Sequence, residues 1–206
     1  MMIQTHDSAQ RGDAVLPGNQ RVTQRGPQCI AHRIAMWSGP RNLSTALMRS
    51  FASRTDCAVW DEPYYAAYLA ASGMTHPMRA EILAGHEVRP EHVVRRILGP
   101  VPHGKPVFYQ KHMAHHMLPQ FDLAWTREVT NVILIRAPEY VLASYTSKRA
   151  EVSLDDLGYR QLVSLYRALA SCPGGAAPVV VDASDLSAAP GVVLKALCAR
   201  IGIGYT

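Results

Sequence analysis

A chain of 206 residues, 48% hydrophobic and 18% charged, can bury one sizeable core and is too short to divide readily into two domains. No apolar run approaches the length of a membrane span. The formal charge of +5 suits a partner bearing phosphates or sulfates, but no Lys/Arg block with interleaved aromatics is present, so neither nucleic acid nor membrane is expected as a partner.

Residues 1–28 are polar and lack the apolar core of a signal peptide, so residues 1–30 are expected to form a disordered tail or an added extension before one domain over 31–206. Cys29, Cys57, Cys172 and Cys198 lie far apart with no C-x-x-C pair, the usage of reduced thiols in a cytoplasmic protein.

The first informative stretch is RIAMWSGPRNLST, residues 33–45, an apolar strand running through a Gly-Pro-Arg turn into a helix that opens with paired hydroxyls. At a helix start the first N–H groups lack intrahelical partners and the macrodipole is positive, so an anion placed there gains several hydrogen bonds at once. Gly39 permits close backbone approach, Arg41 supplies a fork of donors, and Ser44 and Thr45 add hydroxyls. A Walker A loop is excluded: counting on from Gly39, Ser44 stands where the second Gly should be and no Lys follows. The alternative is a plain strand-to-helix turn capped by Ser and Thr.

A helix over about 44–54 leads to a short strand at Ala58–Trp60 and the segment VWDEPYYAAYL, residues 59–69. Glu62 is a candidate base here, since a carboxylate in a partly desolvated cleft can accept a proton near neutral pH. The competing reading has Asp61 capping a helix that starts at Pro63, with Glu62 complementing its dipole. An apolar helix follows over Tyr64–Ala71. Residues 73–105 carry Pro77, Pro90, Pro100 and Pro102 and a short helix around Glu91–Leu98, and are expected to form a lid or the acceptor-side wall, with His76, His86 and His103 exposed.

In VFYQKHMAHHMLP, residues 107–119, a strand over Val107–Gln110 delivers Lys111 to the sheet's carboxyl edge. His112, His115 and His116 have i, i+3 and i, i+4 spacings, but no H-E-x-x-H motif accompanies them, so no metal is expected. A functional cluster and a hydrogen-bonded surface set both remain open. Next, NVILIRAPEYVLASYTSKR, residues 131–149, has a strand at Val132–Ile135 of the kind buried on both faces of a parallel sheet, with Arg136 at its end. Pro138 opens a helix on which Tyr140, Ser144 and Lys148 share a face, so Arg136 and Ser144 suit a second, separate phosphate. An amphipathic helix over 154–171, with Leu154, Leu157, Leu162, Leu165 and Leu169 on its buried side, a Pro-Gly-Gly turn at 173–175, a strand at Val179–Val181 and a last helix ended by Gly202 and Gly204 complete the chain. The alternation predicts a three-layer α/β/α fold with a mainly parallel sheet.

These motifs resemble the sulfotransferases that use 3′-phosphoadenosine 5′-phosphosulfate (PAPS), a P-loop-like fold, and in particular the bacterial type related to trehalose sulfotransferases. The loop SGPRNLST, Ser38, Gly39, Pro40, Arg41, Asn42, Ser44 and Thr45 among its residues, is similar to that family's 5′-phosphosulfate loop. Arg136 and Ser144 are similar to its 3′-phosphate pair, and residues 178–203 to its closing strand, "EDL" turn, proline and last helix. The resemblance implies PAPS as co-substrate and its bisphosphate PAP as product, no metal, and a small-molecule acceptor with a hydroxyl or amine. It implies Arg41 and Lys111 near the leaving oxygen and Glu62 as base, with His112, His115 and His116 as the next candidates. No lysine context argues for pyridoxal phosphate. The chain stops at Thr206, where the family commonly continues, so a missing closing segment and weakened acceptor binding are also expectations. A nucleotide-binding module without turnover and a P-loop small-molecule kinase remain as alternatives.

Overall fold

The computed structural model describes residues 31–146, 157–171 and 176–206. The expected tail, Cys29, Lys148, Leu154, Cys172 and the Pro-Gly-Gly turn lie outside the described residues.

Among the described residues five strands, β1 (His32–Ser38), β2 (Cys57–Asp61), β3 (Val107–Met113), β4 (Thr130–Ile135) and β5 (Val179–Asp182), form one sheet in the order β2-β3-β1-β4-β5, with every pairing parallel. Among the described residues, α1 (Ser44–Ala52), α2 (Tyr65–Ser72), α3 (Arg79–Gly85), α4 (Pro90–Leu98), α5 (Pro138–Thr146) and α6 (Tyr159–Ala170) lie between strands, and α7 (Ala183–Ala188) and α8 (Pro190–Ile201) follow β5. Proline at the first position starts α4 and α8, where a missing N–H costs no hydrogen bond, and Gly202 at φ 78° ends α8 in the left-handed conformation.

Residues Ile34 to Trp37 are fully buried, which is why the central strand reads as a continuous apolar run. Ile34, Met36 and Leu134 pack against Leu47 and Phe51 of α1 and Leu197 and Ile201 of α8. On the opposite face Ala35, Trp37 and Ile133 meet Ala67 of α2, Val93 and Ile97 of α4, and Leu162, Leu165 and Leu169 of α6. The connection leaving β1 therefore runs over one face, and those joining β2 to β3 and β4 to β5 run over the other. A crevice at the carboxyl end of β1 follows from that divergence, the usual place for a ligand in such a sheet.

The sheet and its flanking helices agree with the α/β expectation, with differences in detail. β3 runs three residues past Gln110, so Lys111 and His112 belong to the strand itself. The last long helix before β5 begins at Tyr159 because Gly158 sits at φ 69°, which leaves Leu157 buried in the preceding turn. Helices α3 and α7 were not anticipated.

Candidate active site

The turn after β1 is held in an unusual backbone shape. Arg41 and Leu43 have φ of 61° and 60°, a left-handed conformation that costs a non-glycine residue free energy and persists only where the surroundings enforce it. Leu43 occupies the N-cap of α1, and among the described residues no side chain caps the helix. Ser44 and Thr45 thus stand inside the first turn instead of capping it, and the first N–H groups of α1 are left for an external acceptor. Ser44 is buried and Thr45 exposed.

Neighbouring strands fix the turn. Ser38, fully buried, points its Oγ at Met113 Sδ 3.7 Å away, and Asn42 donates Nδ2–H to the Leu134 carbonyl at 3.2 Å. A methyl group on Gly39 would come within 3.0 Å of the Leu157 carbonyl oxygen, so the close approach that glycine permits is to the protein's own chain. Pro40 packs against Gly158 in the same way, 3.2 Å from where a Cβ on that residue would lie.

Arg136 and Ser144 converge on this turn. Arg136 Nη1 donates to the Arg41 carbonyl at 2.8 Å, and Arg41 Nε donates to Ser144 Oγ at 2.8 Å. The Tyr159 hydroxyl, a residue the sequence reading passed over, donates to the Arg136 carbonyl at 2.7 Å, while Tyr140 lies 5.7 Å beneath the Arg136 guanidinium. Among the described residues neither arginine is paired with a carboxylate. Among the described residues, two guanidinium groups without a carboxylate partner therefore stand beside a helix mouth that no side chain caps.

Lys111 is turned to different partners. The β2–β3 register sets Asp61 opposite Lys111, and Nζ lies 2.6 Å from Asp61 Oδ1 and 2.7 Å from Glu62 Oε1. Burial opposes the charge on this lysine, but the two carboxylates outweigh it and hold the ammonium above its ordinary range. Glu62 donates its N–H to the Lys111 carbonyl at 2.9 Å and has φ 46°, another strained position at the sheet's carboxyl edge. Asp61 does not cap α2: the N-cap there is Tyr64, with no side-chain bond. The Glu62 side chain keeps 29% exposure and Asp61 51%, so both carboxylates can meet a ligand.

Glu62 and Asp61 line a cavity of about 410 Å³ together with Trp60, Tyr65, Ile82 and Arg96. Ile82 and Arg96 come from α3 and α4, so residues 73–105 supply one wall of this cavity.

Two of the three histidines pack among aromatic rings. Alternation along β3 turns His112 to the opposite sheet face, where it stacks on Trp37 at 4.4 Å and contacts Trp125 and Tyr64. Burial, aided by Lys111, pushes its pKa down to about 3. His116 stacks on Tyr65 and Tyr68, and burial, with smaller contributions from His115, Lys111 and His112, pushes it to about 2. Both are neutral and closed off from water. His115 is half-buried, edge-on to His116 and close to Gly158. Among the described residues no three His, Cys, Asp or Glu side chains are grouped to hold a metal ion, and no helix is long and apolar enough to cross a membrane.

Fold and site together define a parallel α/β protein whose candidate chemistry gathers at the carboxyl edge of the sheet, around the end of its central strand. A family model described as "Sulfotransferase domain" matches residues 32–206, and the chain belongs to that family. It is 38% identical over 174 residues to the branched-chain-amino-acid aminotransferase-like protein 2 of Arabidopsis thaliana and 38% identical over 175 residues to protein 1 of the same name. Each match covers 84% of this chain, which spans 30% of the length of either relative. The fold is similar to that of a sulfotransferase from Alicyclobacillus acidocaldarius, with a TM-score of 0.56, 14% identity, and coverage of 84% of this chain and 81% of that one.

Proposed function

We propose that this domain transfers a sulfuryl group from PAPS to a hydroxyl or amine of a small-molecule acceptor. The observation that carries the reading is the meeting of Arg41, Arg136 and Ser144 beside the uncapped start of α1. The donor carries anions on both sides of its ribose, and the two sequence elements that would bind them adjoin at Arg41.

In the reaction the acceptor oxygen forms a bond to sulfur as the bond from sulfur to the bridging oxygen breaks. The electron pair of that bond stays on the bridging oxygen, now part of the 5′-phosphate of PAP, and the acceptor proton leaves to a base. The N–H groups and hydroxyls of Ser44 and Thr45 hold the 5′-phosphate, Arg41 faces the charge that develops on the leaving oxygen, and Arg136 with Ser144 holds the 3′-phosphate. Glu62 receives the proton. Its strained backbone, its partial exposure and its position in the cavity support that role, as does the resemblance of residues 59–69 to the trehalose-related enzymes. Lys111 acts from behind, holding Glu62 in place through its ammonium.

A mass-spectrometric screen with PAPS and a panel of hydroxyl and amine acceptors, reading the added sulfo group, tests the proposal. Formation of PAP and a sulfated product supports it. Binding of PAP with no product from any acceptor supports a donor-binding module without turnover instead.

A further inference from the structure

The cavity beside Glu62 holds an uneven set of charges. Of its carboxylates, Asp61 and Glu62 are both bonded to Lys111, and Glu87 is bonded to the Arg89 backbone and side chain through Oε1 and to His92 through Oε2. Arg96 has no carboxylate partner among the described residues. Its guanidinium carbon lies 4.2 Å from the centre of the Trp60 ring, which satisfies one face of the ion and leaves the N–H groups at its edge for a ligand.

We infer that Arg96 selects an acceptor that carries an anionic group, a carboxylate or a phosphate, in addition to the hydroxyl or amine presented to Glu62. This rests on the reading of Glu62 as base. A planar guanidinium anchored on an indole is pre-organised for two parallel hydrogen bonds to a carboxylate or phosphate. A cationic acceptor meets carboxylates already held by Lys111 and faces an unmatched Arg96, and a neutral one leaves that charge unused. The volume of about 410 Å³ lies within the range of small-molecule sites, roughly 300–1,000 Å³. The competing role for Arg96 is structural: it stands in the last turn of α4, where a cation complements the helix dipole. That role affects melting temperature and carries no preference among ligands.

The test is calorimetric titration of D-glucose, D-glucuronate and D-glucose 6-phosphate, matched hydroxyl compounds that differ in charge, into the protein saturated with PAP. At least one of the two anionic sugars is expected to bind about tenfold or more tightly than glucose, and which one distinguishes carboxylate from phosphate. Arg96→Gln is expected to erase that preference and to leave the PAP-induced melting shift unchanged. Glucose binding as tightly as both anionic sugars, no binding of any of the three, or a preference that survives Arg96→Gln overturns the inference. A missing melting shift with PAP instead defeats the donor reading, so the two failures are distinguishable.

Discussion

Arg41 donates Nε–H to Ser144 Oγ at 2.8 Å across 103 positions of sequence, joining the turn after β1 to the helix after β4. Arg136 closes the link from the other direction through the Arg41 carbonyl. The two elements expected to hold separate anions are thus mechanically connected, and a ligand that reaches both is held by both.

The first consequence concerns ligand preference. PAP should raise the melting temperature more than AMP does, because only PAP has a 3′-phosphate for Arg136 and Ser144. A hydrogen bond to a charged group contributes about 1.5–3 kcal/mol, so the preference should be roughly tenfold to a hundredfold in affinity and should vanish in Arg136→Ala. Equal shifts with both nucleotides in the native protein would remove the 3′-phosphate role from this pair.

Arg41 carries a different prediction: in the proposed role it faces the leaving oxygen and acts mainly on charge that appears during transfer. Arg41→Ala should lower kcat more than it weakens donor binding. Ser144→Ala, which frees the arginine without removing it, should weaken donor binding with a smaller loss of kcat. Steady-state kinetics beside direct titration of PAP separate these outcomes, and an Arg41→Ala enzyme that turns over normally while losing the donor would assign Arg41 to ground-state binding.

Much of this arrangement was legible in the sequence because it is local. A strand, a Gly-Pro-Arg turn and a helix start within 13 residues announce a helix mouth, and the apolar run before Arg136 announces a buried strand. The partners of Lys111 were not legible. They depend on β2 lying beside β3 with Asp61 opposite Lys111, a pairing across 50 residues that no local pattern encodes. His112 was hidden by the length of β3: three further strand residues turn it to the aromatic face instead of the ligand edge. Helix α3 buries no residue and α7 spans six, so neither shows an apolar period, and α7 is announced only by Asp182, whose side chain accepts the Ser184 N–H. Arg96 gave no signal at all, because stacking on Trp60 arises only once α4 lies against β2.

Glu62 and Lys111 can be separated by substitution. Glu62→Gln preserves shape and removes the proposed base, so on that proposal kcat should fall by about 10²–10⁴ while PAP affinity is unchanged. Lys111→Met should lower kcat as well, and in addition destabilise the fold, because two carboxylates are left side by side. The loss should stay below the 3–5 kcal/mol typical of a broken buried pair, since Asp61 and Glu62 retain contact with water. Urea unfolding alongside kinetics checks both; a Glu62→Gln enzyme with native kcat would move the base elsewhere.

The sealed histidines predict how the domain responds to acid. His112 and His116 are only 2% and 3% exposed, and burial, with help from neighbouring positive groups, pushes their pKa values down to about 3 and about 2. In the unfolded chain each imidazole takes up a proton near pH 6.5. Between that value and pH 3 the unfolded state therefore binds two protons that the folded state refuses, so stability is full above pH 6.5 and falls as pH drops, by about 1.4 kcal/mol per unit for each histidine. Together they should remove about 3 kcal/mol between pH 6.5 and 5, a large share of the 5–15 kcal/mol by which a domain is stable. His32, also lowered by burial, acts in the same direction. The carboxylates held low by their partners, Asp56 and Glu87, lose their contributions mainly below pH 5, outside this window. His116→Phe keeps an aromatic ring against Tyr65 and Tyr68 but cannot take up a proton, so it should cut the pH slope by about one proton's worth. Urea unfolding at pH 7.5, 6.5 and 5.5 measures the slope in both proteins. A stability that stays level from pH 7.5 to 5.5 would mean that the imidazoles reach solvent, and it would restore His112 and His116 as candidates for the base.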